Sequence, residues 1–199
     1  MTKQPHPISL PRSLSWLDGP LPSPPSPRPP SGWTGLEQVL PALVNLFCQS
    51  DRDSALEFGC EYGYSTSVLA QLFSHVTTVD WFLGDEHSGQ REDYSAIARA
   101  NLAHHRNVEV VQSSYQDWLA RPSASDPALR YSLVHIDVVH TYEATYELGR
   151  WATDHAKVVL FHDTHFIWPE VPKAVLRVAE ETGREFYNFT QHNGLGILF

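Results

Sequence analysis

Two groups of residues in this 199-residue chain combine types and spacings that can do chemistry. The first is Glu57-x-Gly59-x-x-x-Gly63-x-Ser65-Thr66, followed by Asp80. Gly59 and Gly63 lack a β-carbon, so backbone there can lie close to a ligand. The free N–H groups of a helix opening at Ser65 and Thr66 suit an anion or a carboxylate. Asp80 closes the next strand about 20 residues beyond Gly59, where an acid accepts hydrogen bonds from ribose hydroxyls in doubly wound folds. The second group ends two later apolar runs. Leu133-Val134-His135-Ile136-Asp137-Val138-Val139-His140-Thr141-Tyr142 and Val159-Leu160-Phe161-His162-Asp163-Thr164-His165 each carry a carboxylate flanked by imidazoles. Asp137, Asp163 and His162 offer two oxygens and a nitrogen, a set that suits Mg²⁺, Mn²⁺ or Fe²⁺. Such an ion orients and acidifies a substrate hydroxyl, and His140 or His165 is then placed to take its proton.

Alternating elements must deliver these residues. Ala55 to Phe58 reads as a strand, the Gly59–Gly63 turn leads into a helix with Val68, Leu69, Leu72 and Phe73, and His75 to Asp80 is a second strand. Upstream, Thr34 and Glu37 make a capping box for a helix with Leu36, Val39, Leu40, Leu43, Val44 and Phe47, in which Pro41 marks a kink or a later start. Downstream come a polar loop over 84–89, a helix through Tyr94, Ile97, Ala98 and Leu102, a strand over 107–112 and a short helix from Tyr115. Strands over 131–136 and 157–161 and helices over 142–152 and 170–181 follow. A final hairpin of 185–190 with 195–199 turns at Asn193-Gly194. The pattern predicts an α/β, Rossmann-like, doubly wound fold: a mostly parallel seven-stranded sheet with an antiparallel C-terminal strand hairpin. Both chemical groups then fall at the carboxyl edge, where such sheets bind ligands.

The first group, with Asp80, resembles the first and second motifs of class I S-adenosylmethionine-dependent methyltransferases. The second resembles a subgroup carrying HIDxxHxY after the fourth strand and HD after the fifth. That subgroup includes sugar and natural-product O-methyltransferases and cephalosporin hydroxylase-like proteins. The resemblance runs from Leu36 to about Phe199. It implies that Gly59 and Gly63 admit the methionine portion of S-adenosylmethionine, that Ser65 holds its carboxylate, that Glu57 meets its ammonium and that Asp80 holds the ribose. Trp81 would pack on the adenine, while Ser113 and Ser114 would hydrogen-bond it or cap the short helix. The implied reaction is methyl transfer to oxygen of a small polar metabolite or sugar; the residues leave two readings of the second group, one in which it holds Mg²⁺ or another divalent cation and one in which Asp137 only closes the cofactor site and His162 bonds within its turn. Val138 stands where a glycine is usual, and Asp154-His155-Ala156 replaces a frequent Gly-Gly, so a bulkier site wall and a different turn are expected.

Two alternatives come from other classes. His135-x-Asp137 with His140 or His162 has the composition of a two-histidine, one-carboxylate iron oxygenase site. Those triads usually occupy all-β barrels, however, and a histidine inside the apolar run LVHID reads as a core residue. A binding protein that kept the fold without the reaction is the other alternative.

Composition narrows the field. Residues 1–31 hold most of the prolines, with serines between them, and read as an extended arm; residues 32–199 form the methyltransferase-like domain. With 42% apolar residues and no run near the ~20 that span a bilayer, a membrane helix is not expected. The N-terminus has no secretory pattern, so the cytoplasm is the expected compartment. A formal charge of −9 argues against nucleic acid and favours a basic or neutral small-molecule acceptor. Cys48 and Cys60 have no partner at metal-ligand spacing and read as small buried residues. The arm and six tryptophans leave a homodimer open.

Overall fold

The computed structural model describes residues 39–49, 51–85, 87, 91–165 and 167–199. The proline-rich arm and the capping box at Thr34 and Glu37 lie outside the described residues. The strands are β1 (Ser54–Phe58), β2 (His75–Asp80), β3 (Val108–Gln112), β4 (Tyr131–Ile136), β5 (Ala156–His162), β6 (Phe186–Phe189) and β7 (Leu195–Leu198). The helices are α1 (Leu40–Phe47), α2 (Tyr64–Ala70), α3 (Ser95–Leu102), α4 (Tyr115–Leu119), α5 (Tyr142–His155) and α6 (Glu170–Thr182). One seven-stranded sheet runs in the order β3-β2-β1-β4-β5-β7-β6. The pairs among β1 to β5 are parallel, while β7 pairs antiparallel with both β5 and β6. The strand order reverses between β1 and β4, and a crevice at that switch point is where open α/β sheets take ligands.

Both faces of the central strands are covered, which is why β1 and β4 read as apolar runs rather than alternating ones. Ala55, Val76, Leu133, Leu160 and Ile197 pack with Leu40, Leu43 and Val44 of α1 and Val68 and Leu69 of α2. On the opposite face Leu56, Phe58, Val134, Ile136, Val159 and Phe161 pack with Leu148 and Ala152 of α5 and Val171, Val175 and Val178 of α6. Helix α1 begins at Leu40 with Pro41 in its first turn, so the proline sets a start and not a kink. Cys48 and Cys60 are buried free thiols, as their composition suggested.

The glycines of the first turn act through backbone geometry. Gly59 has φ 93°, and a β-carbon on it would stand 1.7 Å from the carbonyl oxygen of Asp137. The β1 and β4 turns therefore touch at a point that only glycine permits. Gly63, at φ 90°, caps α2, and a β-carbon there would meet Leu102 of α3 at 2.8 Å.

Gly59→Ala is expected to cost about 3 kcal/mol or more, combining left-handed strain with a backbone clash. Gly183→Ala, at φ 68° with nothing within 4 Å of the added carbon, should cost only about 1 kcal/mol. Urea unfolding of both variants checks this, and equal losses would refute it.

Candidate active site

The carboxyl ends of the central strands open into a single cavity of about 1020 Å³. One side of its wall carries Gly59, Ser65, Asp80, Trp81, Ser113 and Ser114; the other carries Asp137, His140, His162 and Asp163. Val138 also lines it, giving the bulkier wall expected from a valine in place of glycine.

Asp80 fixes the glycine turn to the end of β2. Its Oδ2 accepts hydrogen bonds from the N–H groups of Cys60 (2.8 Å) and Glu61 (2.9 Å), and its Oδ1 accepts one from Phe82 N–H (2.7 Å). Burial pushes the carboxyl above its ordinary pKa against the pull of those three donors. Trp81 is 46% exposed at the cavity, so it is a wall residue and not core. Ser114 is the N-cap of α4: its Oγ accepts from Asp117 N–H at 3.0 Å and donates to Asp117 Oδ2 at 2.8 Å. Ser113 Oγ donates to the carbonyl of Ser114 at 3.0 Å.

Three expected site residues are off the wall. Glu57 has no exposed surface and lies within the sheet, where Thr78 Oγ1 donates to its Oε2 at 2.7 Å, Thr66 Oγ1 donates to the same atom, and His135 Nδ1 stands 3.1 Å from its Oε1. Parallel register explains the grouping, because Glu57 is the direct partner of Thr78 on β2 and of His135 on β4. Glu57 is thus engaged inside the protein and is not presented to a ligand ammonium. Gly63 is likewise absent from the wall, its place decided by Leu102. His165 is not on the wall either; its N–H donates to the carbonyl of Asn193 at 2.8 Å.

The second group converges differently from expectation. Ligand atoms of Asp137, His140 and Asp163 all lie within 4.8 Å of one another. His140 Nε2 is 2.6 Å from Asp163 Oδ2 and 3.9 Å from Asp137. His162, expected among the metal ligands, lines the same cavity with its Nδ1 3.1 Å from Asp137 Oδ2 and 3.5 Å from Asp163 Oδ2, although it falls outside that group of three. His140, expected as a base, stands among the possible ligands. Asp163 adopts φ 56°, a left-handed conformation that aspartate tolerates better than most side chains. Its residue is 7% exposed, and its Oδ1 is buried without a hydrogen-bond partner. Burial alone would raise Asp137, yet the charges and hydrogen bond of the neighbouring imidazoles, His162 foremost, hold it well below the usual carboxylate range. Burial would lower His140 and His162, but Asp163 and Asp137 respectively outweigh it and raise both. The set has one imidazole and two carboxylates, the reverse of an oxygenase triad, and His135 is committed to Glu57.

Loop residues complete the wall where sequence pattern was silent. Trp168 stacks on the His140 ring (centroids 4.6 Å, 9° apart), and His87 packs on Trp168 at 4.5 Å. The N–H of His140 donates to His87 Nδ1 at 3.1 Å. Asp85 Oδ1 accepts from His87 N–H at 2.7 Å and also lines the cavity. Both residues belong to segments that the sequence marks only as loops beside the strand ends, 84–89 and 165–169, with no periodicity to single out His87 or Trp168.

A family model described as a methyltransferase domain matches residues 56–164, more than half of the chain. The chain belongs to that family. Among solved structures, a proposed O-methyltransferase from Klebsiella pneumoniae superposes with a TM-score of 0.59 at 17% identity, covering 88% of this chain and 82% of that one. A proposed caffeoyl-CoA O-methyltransferase from Staphylococcus aureus gives 0.60 at 16% identity, over 80% and 81%. A proposed methyltransferase complexed with SAH gives 0.50 at 11%, over 82% of this chain and 50% of that one. At these identities the likeness is one of fold, and the fold is that of class I S-adenosylmethionine-dependent methyltransferases. No match was found among curated proteins. No helix among the described residues of this methyltransferase is long and apolar enough to cross a membrane.

Glu57→Ala would strip an acceptor from Thr66, Thr78 and His135 in a fully buried spot. It is expected to destabilise the methyltransferase by about 3 kcal/mol or more, read by chemical denaturation. A loss below about 1 kcal/mol would show that the network is dispensable for folding.

Proposed function

We propose that this methyltransferase moves the methyl group of S-adenosylmethionine to a hydroxyl oxygen of a small polar metabolite or sugar, with a divalent cation held by Asp137, His140 and Asp163. One observation carries the proposal: a single cavity joins the Asp80 turn to the convergent Asp-His-Asp group. The printed names of the Klebsiella and Staphylococcus structures support oxygen as the receiving atom.

The residues present suit both groups. A carboxylate offers about four acceptor positions, and three N–H donors occupy Asp80, so Oδ1 keeps capacity for a ribose hydroxyl. Asp163 Oδ1 is buried and unpartnered, a state that costs about 1–3 kcal/mol unless a cation or donor meets it. When bound, S-adenosylmethionine supplies a methyl carbon made electrophilic by its sulfonium, with the leaving group built in. A divalent cation would favour the ionised form of a hydroxyl beside it.

This chain's own side chains mostly hold positions. Ser65 and Trp81 would receive the carboxylate and the adenine. His162 braces Asp137, and Trp168 fixes the plane of the His140 ring, in the way that outer partners orient metal ligands. His140 serves here as a ligand and not as a free base, so the proton of the acceptor hydroxyl would leave to water in the open cavity as the O–CH3 bond forms and the C–S bond to S-adenosylhomocysteine breaks. Alignment of a fixed acceptor with a fixed donor accounts for most of the acceleration such a site can give.

Calorimetric titration with S-adenosylhomocysteine tests the cofactor half. Micromolar affinity is expected, and Asp80→Ala should weaken it by about 1–3 kcal/mol through loss of charge-assisted hydrogen bonds. Undiminished affinity in that variant would remove Asp80 from the ribose site. Asp163→Ala should keep S-adenosylhomocysteine affinity near that of the parent while abolishing any response of activity to Mg²⁺ or chelator. If the parent methylates equally well in chelator and in Mg²⁺, the metal half of the proposal is wrong.

A further inference from the structure

Two imidazoles border the paired acids, and each already stands against an oxygen that a cation would need. His140 Nε2 is 2.6 Å from Asp163 Oδ2. His162 Nδ1 is 3.1 Å from Asp137 Oδ2 and 3.5 Å from Asp163 Oδ2. All four residues line the cavity. The two acids are therefore not an open carboxylate pair, because a nitrogen accompanies each of them.

That engagement decides which ions suit the site. A hard ion such as Mg²⁺ wants oxygen ligands in near-ideal octahedral order and sheds its water reluctantly. To take Asp163 Oδ2 it must push the His140 ring off that oxygen, and it offers the displaced nitrogen little in return. The ring is also poorly free to leave: Trp168 stacks on it at 4.6 Å, and the N–H of the same residue donates to His87 Nδ1. Transition ions such as Fe²⁺, Co²⁺ and Zn²⁺ accept imidazole nitrogen together with carboxylate oxygen. Such an ion takes the place of the proton held between Nε2 and Oδ2, that proton leaves to water, and both atoms become ligands. Neighbouring ligand atoms on an octahedral ion stand about 3 Å apart, so the pair need open only slightly. Of the two rings, His140 is the one whose nitrogen lies with both acids inside 4.8 Å, and it is the less buried.

Resting on the metal half of the reading above, we propose that this site takes a first-row transition ion of the Fe²⁺ or Co²⁺ kind in preference to Mg²⁺, and that His140 Nε2 is the ligand that selects it. His162 stays beside the acids as a brace and not as a ligand.

The test uses the full chain saturated with S-adenosylhomocysteine, with MgCl2 and CoCl2 as probes. Calorimetric titration should give Co²⁺ an affinity about a hundredfold or more above that of Mg²⁺. His140→Gln puts a neutral carbonyl oxygen in place of the nitrogen, and the Co²⁺ to Mg²⁺ ratio should then fall about tenfold or more. His140 Nδ1 is buried, so a proton on it exchanges slowly with water. Proton NMR of the Co²⁺ protein should show one strongly shifted exchangeable signal from that position, absent in His140→Gln. Asp163→Ala subtracts ions held by histidines elsewhere, and the affinity of each variant for S-adenosylhomocysteine reports folding. A ratio unchanged in folded His140→Gln overturns the proposal, as does a parent protein that binds Mg²⁺ as tightly as Co²⁺. A shifted signal that persists in His140→Gln gives the nitrogen to His162 and overturns the assignment to His140. Failure of both ions to bind at this site, in protein that binds S-adenosylhomocysteine, strikes the metal reading beneath and this inference with it. Failure to bind S-adenosylhomocysteine strikes the cofactor half alone.

Discussion

A carboxylate with no exposed surface holds this molecule's working edge in register. Glu57 on β1 is bonded to Thr78 on β2, Thr66 on α2 and His135 on β4. A buried acid is tolerated only when its oxygens are satisfied, so these four elements can assemble in few relative positions. The consequences appear two residues further along each strand. Thr78 precedes Asp80, and His135 precedes Asp137, so one buried network sets where both acids emerge into the cavity. Gly59 and the Asp137 carbonyl then meet with no room for a side chain between them.

On the other side of the crevice the constraint is electrostatic. Asp137 and Asp163 come together at the ends of adjacent parallel strands, where two carboxylates alone would repel. His140 and His162 stand between and behind them, and the mutual shifts record that pairing: the acid at 137 pushed down, both imidazoles pushed up. Left-handed backbone at Asp163 and an orphaned oxygen on the same residue are small local costs of the kind that cluster where proteins bind ligands. They are borne by a scaffold whose two apolar layers are otherwise continuous.

Much of this was legible in the residues. β2 and β4 have the limits that alternation and apolar runs indicated, and the hairpin, the reversal of strand direction and Asp80 at the end of β2 all follow from local pattern. What failed was cross-strand knowledge. Nothing in the order of residues says that Glu57 stands beside Thr78 and His135, so an acid in an apolar run read as a ligand contact instead of a buried anchor. Ser114 caps α4 through the Asp117 N–H and also lines the cavity, a double placement that local pattern does not reveal. That His140 joins Asp137 and Asp163 could not be read locally, because it follows a turn packed against Trp168 and His87, and loop paths carry no periodicity. Gly59 is a site of close approach to the protein's own backbone at the Asp137 carbonyl, and it also lines the cavity.

The Asp163 turn is clasped by residues far along the chain. Thr164 Oγ1 donates to Asn188 Oδ1, Asn188 Nδ2 donates to the Thr164 carbonyl, and His165 N–H donates to Asn193, all from the β6–β7 hairpin. Strand β7 slots between β5 and β6, so β5 has no neighbour on that side until residues 195–198 exist. On a ribosome adding roughly 5–20 residues per second, the Asp80 turn and Asp137 emerge first, and the hairpin follows on the order of seconds later. The acidic turn at Asp163 is therefore anchored by residues that are made after every other member of the site, and its position depends on the closing of the hairpin.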